Sequence, residues 1–363
     1  MRRALDLAAL GLGRTSPNPA VGAVVVAKGV IVGEGWHRRA GEPHAEPIAL
    51  QAAGDDARGA TLYVTLEPCC HQGRTPPCTE AIIEAGIARV AYACQDCDDR
   101  CCGRGAQELQ SAGIETSCGP LTQQALRLNE AYFKHKQTGL PFVTLKMACS
   151  LDGKTATRTG DSRWVTGPQA RELVHRMRDR ADAVMVGIGT VLADDPQLTT
   201  RLEGPDCRDA LRVVVDSGAR TPPDARVIGS SPAPGCIIAV GQAAADDRVG
   251  ALQAAGAQVV TLPQTAEGRV DLRALMARLG QMDVMGVLAE GGPTLAAAMV
   301  QGGLVDKIVL FYAPKLVGGA SAPTALDGTG VEVMADAQGV RITGVERVGD
   351  DIMVEGYPCL PDS

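Results

Sequence analysis

A histidine and a glutamate lie two residues apart in His44-Ala45-Glu46. They are followed by Pro68-Cys69 and then, after eight intervening residues, by Cys78. A tetrahedral catalytic zinc takes three protein ligands and keeps one position open for water, and one imidazole with two thiolates meets that count. The mixed nitrogen and sulfur set, without a redox motif around it, favours zinc over copper or iron. Zinc lowers the pKa of a water in its open position, but a hydrolytic deamination must also carry a proton to the departing nitrogen. That task needs a carboxylate that is not a ligand, and Glu46 is placed to take the proton and return it as general acid. The order matches the His-x-Glu and Pro-Cys-x-x-Cys signature of zinc deaminases, except that the second spacing is eight residues instead of two. The inserted loop from Cys70 to Pro77, with His71 and Arg74, brings polar and basic groups that suit substrate recognition. Each residue alone reads equally as a core histidine, a helix-start carboxylate or a small buried thiol. Their order along the chain favours the metal.

A second set of residues suits a nucleotide cofactor. Glu290-Gly291-Gly292-Pro293-Thr294-Leu295 follows an apolar run and opens an apolar helix, so backbone N–H groups there can approach a phosphate, although a plain strand-to-helix turn has the same pattern. Gly187-Ile188-Gly189-Thr190 repeats the arrangement, and no Gly-x-Gly-x-x-Gly fingerprint is present. Arg178 and Arg201 flank the Thr190 to Thr200 stretch and suit a bidentate clamp on a phosphorylated substrate, or else are surface arginines. Cys94, Cys97, Cys101 and Cys102 form a further group that reads either as a structural metal site or as unpaired thiols.

These residues need elements to hold them. Val21 to Ala27 and Val30 to Val32 flank Lys28-Gly29 as a hairpin; Pro47 to Ala53 is helical and Thr61 to Leu66 strand-like. Pro76-Pro77 opens a helix from its first turn, followed by a strand over Ala88 to Ala93 and a helix over Ala106 to Ser111. This predicts a layered α/β unit whose sheet mixes one antiparallel pair with parallel crossovers. The polar, turn-forming stretch His135 to Pro141 then marks a boundary, giving units 1–140 and 141–363. Strand candidates in the second lie at 142–147, 183–186, 211–215, 236–240, 284–288 and 307–312, alternating with helical stretches, so it too is α/β.

The composition sets limits on function. At 363 residues the chain is long enough for two domains. A net charge of −7 and only two Trp, five Tyr and three Phe give neither a basic groove nor stacking platforms for nucleic acid. No uncharged apolar run reaches the roughly 18 residues of a membrane helix. The start, Met1-Arg2-Arg3, imitates a signal peptide, but Asp6 interrupts it and Leu5, Ala8, Ala9 and Leu12 repeat at helical spacing. The expectation is a cytoplasmic enzyme of small molecules, without a nucleic-acid or membrane partner, and a homo-oligomer. Twelve cysteines, eight of them between Cys69 and Cys118, point to a metal before a disulfide scaffold.

With these residues assembled, the chain resembles the bifunctional riboflavin-biosynthesis deaminase–reductases over essentially residues 1 to 360. The resemblance rests on Thr15-Ser16-Pro17-Asn18-Pro19-Ala20-Val21-Gly22, on Gly41-Glu42-Pro43-His44-Ala45-Glu46, and on Glu67-Pro68-Cys69 with Gly73-Arg74-Thr75-Pro76-Pro77-Cys78. In the second half it rests on Ser150-Leu151-Asp152-Gly153-Lys154, Thr190-Val191-Leu192-Ala193-Asp194-Asp195-Pro196 and the Glu290 to Leu295 turn. It implies a cytidine-deaminase-like N-terminal domain and a dihydrofolate-reductase-like C-terminal domain. It also implies zinc held by His44, Cys69 and Cys78, with Glu46 as proton shuttle. Carried over by position, Ala148, Trp164, Thr190, Asp194, Ser217 and the turn Gly292, Pro293, Thr294, Leu295, Ala296, Ala297 and Ala298 would line an NADPH site. Ser162, Arg178, Leu198, Arg201 and Glu290 would hold the reductase substrate, the two arginines meeting its ribose 5-phosphate, and Lys146 would stand near the reacting sugar. The implied reactions are deamination of 2,5-diamino-6-(5-phosphoribosylamino)pyrimidin-4-one and NADPH-dependent reduction of the ribose. The alternative is a zinc deaminase of another base or nucleoside with a non-catalytic nucleotide-binding second half. One stretch departs from the family: Asp-Pro-Asn-Pro is replaced by Asp96-Cys97-Asp98-Asp99, which removes two rigid prolines from a wall of the deaminase pocket.

Overall fold

The computed structural model describes residues 1–359 apart from Arg74, Pro205 and residues 230–234. Two compact units divide the chain, Met1–Leu140 and Pro141–Ser363.

The first unit opens with α1 (Arg2–Ala9), the hairpin β1 (Gly22–Ala27) and β2 (Val30–Trp36), then α2 (Ala45–Ala53), β3 (Thr61–Val64), α3 (Cys78–Glu84) and β4 (Arg89–Tyr92). It closes with α4 (Arg104–Ser111), β5 (Glu115–Cys118), α5 (Thr122–Leu128) and α6 (Glu130–Thr138). The sheet order is β2-β1-β3-β4-β5. β1 pairs antiparallel with both β2 and β3, while β3, β4 and β5 run parallel, so the sheet has two antiparallel pairings where the sequence suggests one. Burial of Val25, Leu62, Val64 and Val90 against Ala45, Ala49 and Ile82 joins this sheet to α2 and α3. Two of the sequence-based assignments shift. His135 to Thr138 complete α6 instead of forming a turn, because the chain stays helical until Gly139 takes the left-handed cap at φ 71°. Pro76-Pro77 precede α3, and Cys78 is its first residue.

The second unit runs β6 (Phe142–Ser150), α7 (Pro168–Arg180), β7 (Ala183–Gly187), α8 (Ile188–Asp194), β8 (Leu211–Val215), α9 (Arg226–Gly229), β9 (Cys236–Gly241) and α10 (Asp246–Ala254). It continues through β10 (Gln258–Leu262), α11 (Leu272–Gly280), β11 (Gly286–Ala289), α12 (Pro293–Gln301), β12 (Lys307–Ala313), β13 (Val340–Val348) and β14 (Asp351–Pro358). Nine strands form one sheet in the order β10-β9-β8-β7-β11-β6-β12-β14-β13. The central strands are buried on both faces, as crossover helices require; β9 is buried at every position. Pairing is parallel from β10 through β12, and β14 and β13 add an antiparallel edge.

Two glycines let α2 lie against β2. A Cβ at Gly33 would stand 2.2 Å from the Ala49 carbonyl oxygen, and one at Gly35 2.4 Å from that of Ala45, the residue before Glu46. Gly35→Ala is therefore expected to lift the start of α2 and destabilise the unit by about 1–3 kcal/mol. Faster amide hydrogen exchange across α2 would report it; unchanged exchange would mean that the close approach carries no weight.

Candidate functional site

In the first unit the candidate site is built from the ends of three elements. His44 is the N-cap of α2 and Glu46 lies in its first turn, where the positive end of the helix favours a carboxylate. Cys69 follows β3 on the loop that leads to Cys78, and the Cys78 N–H points at Cys69 Sγ from 3.4 Å. His44 Nδ1 lies 3.2 Å from Cys78 Sγ and 3.5 Å from Cys69 Sγ. The three donor atoms fall within 4.8 Å of one another, and no other group of three His, Cys, Asp or Glu does so among the described residues. A tetrahedral ion fits a donor set of that size and chemistry.

The protons follow from this convergence. Cys78 donates to Cys69, which together with His44 lowers the Cys69 thiol to about 4. The same contact and burial raise Cys78 well above an ordinary thiol. Contact with Cys69 raises His44. Glu46 is 4% exposed, and burial, with Cys69 nearby, pushes its carboxyl up to about 7. A carboxyl near neutrality can both accept and release a proton at working pH.

The stretch that lacks the two prolines is held by carboxylates. Glu67 accepts from the backbone N–H groups of Asp96 (3.2 Å), Gly103 (3.0 Å) and Ala106 (3.1 Å). Asp98 accepts from Arg100 Nη2 at 2.7 Å and faces Lys136 Nζ at 3.2 Å; Tyr132 donates to Asp96 at 2.9 Å. Hydrogen bonds thus replace covalent stiffness. The nearby cysteines do not converge: Cys94 meets the Thr65 carbonyl, Cys101 meets His71 Nδ1 at 3.3 Å and Cys102 meets Gln95. Burial pushes Cys94 and Cys101 up to about 12 and Cys97 to about 11. Arg74 of the inserted loop lies outside the described residues.

In the second unit a cavity of about 1650 Å³ opens at the C-terminal ends of the parallel strands, where open α/β sheets take ligands. Lys146 and Ala148 reach it from β6, Thr190 and Asp194 from α8, and Ser217 from the turn after β8. Ser162, Trp164, Leu198 and Arg201 line it from loops. Trp164 is 61% exposed, with the Arg171 guanidinium 4.6 Å from its ring centre. Gly292, Pro293, Thr294, Leu295 and Ala298 also face the cavity. Ala296 and Ala297 do not line it, because helical periodicity turns them into the core, where they are 0% and 7% exposed. Gly292 caps α12 without a side-chain hydrogen bond, so the first N–H groups of the helix are left for a ligand. A Cβ at Gly292 would come within 3.5 Å of Thr190 Oγ1, narrowing that cradle. The geometry fits a phosphate-bearing cofactor.

The expected phosphate clamp changes. Arg178 is committed to Glu290 through Nε at 2.6 Å and Nη2 at 2.9 Å, and its Nη1 donates to the Thr199 carbonyl at 3.2 Å. Its planar fork matches one carboxylate and is occupied by it. Arg201 instead stands with Arg226, which also lines the cavity and which spacing along the chain does not reveal. Burial, then Arg178 and Arg226, lower the Arg201 guanidinium. Burial would raise Glu290, but Arg178, with Lys146 and His175, outweighs it and keeps the carboxylate charged. Lys146 Nζ lies 3.9 Å from Glu290 Oε2, and burial lowers its ammonium below the ordinary lysine range.

The two halves match known families separately. The cytidine and deoxycytidylate deaminase zinc-binding region matches residues 1–94, and the RibD C-terminal domain matches residues 141–354. Over 363 residues the chain is 42% identical to the riboflavin biosynthesis protein RibD of Escherichia coli K12, covering 97% of this chain and 96% of that one. The chain belongs to the RibD family. RibD of Aquifex aeolicus is 40% identical, covering 98% and 96% of the two chains. Acinetobacter baumannii RibD superposes with a TM-score of 0.88 at 37% identity, covering 99% of this chain and 98% of that one. A Thermotoga maritima structure described as a diaminohydroxyphosphoribosylaminopyrimidine deaminase/5-amino-6-(5-phosphoribosylamino)uracil reductase superposes at 0.84 with 35% identity, covering 99% and 97%. A reductase-family match across the second half displaces the alternative of a non-catalytic nucleotide-binding module. Membership also brings zinc to the deaminase half and NADPH to the reductase half.

Asp98 supplies a prediction of pH dependence. Contact with Arg100, then Lys136, holds its carboxyl well below the ordinary range. A depressed carboxylate stabilises the fold above its unfolded pKa of about 4, and that stabilisation is lost as pH falls toward the folded value. Asp98→Asn should lower the melting temperature at pH 7, with the gap to the parent closing below about pH 4. A gap independent of pH would rule out the charge as its source.

Proposed function

We propose that this chain carries out two consecutive steps of riboflavin biosynthesis. The first unit hydrolyses the exocyclic amine of 2,5-diamino-6-(5-phosphoribosylamino)pyrimidin-4-one, adding water and releasing ammonia. The second reduces the ribose of the deaminated product to give 5-amino-6-(5-phosphoribitylamino)uracil. The observation that carries this reading is the pairing, in one RibD chain, of a His44, Cys69 and Cys78 donor set beside buried Glu46 with a separate large cavity at the strand ends of a reductase domain.

In the deaminase half, His44, Cys69 and Cys78 would hold zinc, which supplies an activated water when bound. Glu46 would take a proton on its carboxylate and return it to the departing nitrogen, a role suited to a buried carboxyl that is not itself a ligand. In the reductase half, the cradle at the start of α12 with Thr190, Asp194, Trp164 and Ser217 would hold NADPH, which supplies the hydride. Arg201 with Arg226 would meet the substrate phosphate. Ser162 and Leu198 would shape the pocket beside the sugar, and Arg178 would fix the Glu290 carboxylate. Lys146, held by that carboxylate, would stand beside the reacting ribose carbon and deliver the proton that accompanies reduction.

A homo-oligomer and a cytoplasmic location complete the reading. The edge strand β13 leaves Val340, Ile342 and Val345 exposed, a surface of the kind that pairing with a second copy covers. Among the described residues no helix is long and apolar enough to cross a membrane.

Glu46→Gln tests the separation of the two centres. Deamination should fall by at least about 100-fold, the low end for a lost general acid and base. NADPH oxidation with supplied deaminated intermediate should stay at the parent rate. Chelation of zinc should give the same pattern. Loss of both activities together would refute independent centres.

A further inference from the structure

An imidazole has two nitrogens, and only one can face the paired sulfurs. His44 turns Nδ1 toward Cys69 and Cys78, while its Nε2 lies 3.3 Å from Thr75 Oγ1. A metal takes the lone pair of Nδ1, so the ring proton belongs on Nε2, and a half-buried N–H needs an acceptor. The ring beside His44 does not offer one. His37 packs edge-on at 5.2 Å, and its own nitrogens already meet the Pro43 carbonyl at 3.1 Å and Asn18 Nδ2 at 3.2 Å.

We propose that Thr75 is a positioning residue of the deaminase centre: its hydroxyl accepts from His44 Nε2–H, holds the ring in that tautomer and so sets the affinity for zinc. This rests on the zinc reading of His44, Cys69 and Cys78. Local chain geometry supports it. Thr75 is followed directly by Pro76-Pro77 and then Cys78, and the two prolines fix φ, tying the position of the hydroxyl to that of the ligand. The Thr75 carbonyl accepts from the Gly73 N–H at 3.2 Å, closing a turn at this point of the loop. The same short segment therefore delivers both a sulfur ligand and the acceptor that orients the nitrogen ligand. Partners that orient a metal-bound histidine through its other nitrogen typically contribute about 10–100-fold in metal affinity.

Zinc affinity of the full chain, measured by competition with a chromophoric chelator, tests this in Thr75→Val and Thr75→Ser. Valine keeps the shape and removes the acceptor; serine keeps the hydroxyl. Thr75→Val should weaken zinc binding by about 10–100-fold, Thr75→Ser should return it close to the parent, and amide hydrogen exchange across α2 and α3 should stay unchanged in both as a control for folding of the first unit. Long-range proton–nitrogen NMR of the zinc-loaded parent should show the His44 proton on Nε2. Parent-like affinity in Thr75→Val, equal weakening in Thr75→Ser, or a proton on Nδ1 in the zinc-loaded parent would overturn the role of Thr75 while leaving the zinc ligands standing. A parent that binds no zinc, or a His44→Ala variant that binds it as tightly as the parent, would overturn the zinc reading itself and this role with it.

Discussion

Two thiols and an imidazole brought within 4.8 Å of one another cannot all keep their ordinary protonation. One sulfur is driven toward thiolate while its neighbour holds the proton, because two adjacent buried thiolates without a cation would repel strongly. A divalent ion resolves this by replacing the shared proton, and much of the first unit reads as the scaffold for that exchange. α2 and α3 start at the site, so helix dipoles favour charge at Glu46 and at Cys78. Gly33 and Gly35 let α2 approach the sheet, and Gly105, where a Cβ would stand 2.0 Å from the Pro68 carbonyl, lets α4 press against the loop before Cys69.

The reductase half obeys a different constraint. Its cavity holds a buried cluster of one carboxylate with two cations, Glu290 with Arg178 and Lys146. Such a cluster is costly to bury unless each charge is satisfied. Glu290 thus acts first inside the protein, fixing Arg178 and standing 3.9 Å from Lys146, while Arg201 and Arg226 also line the cavity.

Much of this is legible in the sequence where chemistry and local order coincide. His44, Glu46 and Cys78 stand at helix starts and Cys69 on the loop that leads to one, and a chain that alternates strand and helix brings such ends to one edge of a sheet. The buried runs at β7, β8 and β9 are equally plain, since both faces are covered. β13 escapes notice because an exposed edge lacks a long apolar run, and β10 and β14 because their apolar runs, Val259-Val260 and Ile352-Met353-Val354, are only two and three residues long. The commitment of Arg178 to Glu290 joins residues 112 positions apart, and no local pattern encodes it. The same holds for Glu67, whose three backbone contacts stiffen a stretch that has lost its prolines, and for Thr75, whose hydroxyl meets His44 only after the loop closes. Ala296 and Ala297 show the converse, since α12 presents only one face to the cavity and theirs is the core face.

The most direct measurement is X-ray absorption at the zinc edge on protein purified without chelator, combined with metal analysis. One zinc per chain is expected, with a first shell of two sulfurs at about 2.3 Å and lighter scatterers, one of them an imidazole, at about 2.0–2.1 Å. Protein that retains no zinc, or a shell of three or four sulfurs drawing on the Cys94 to Cys102 group, would contradict it.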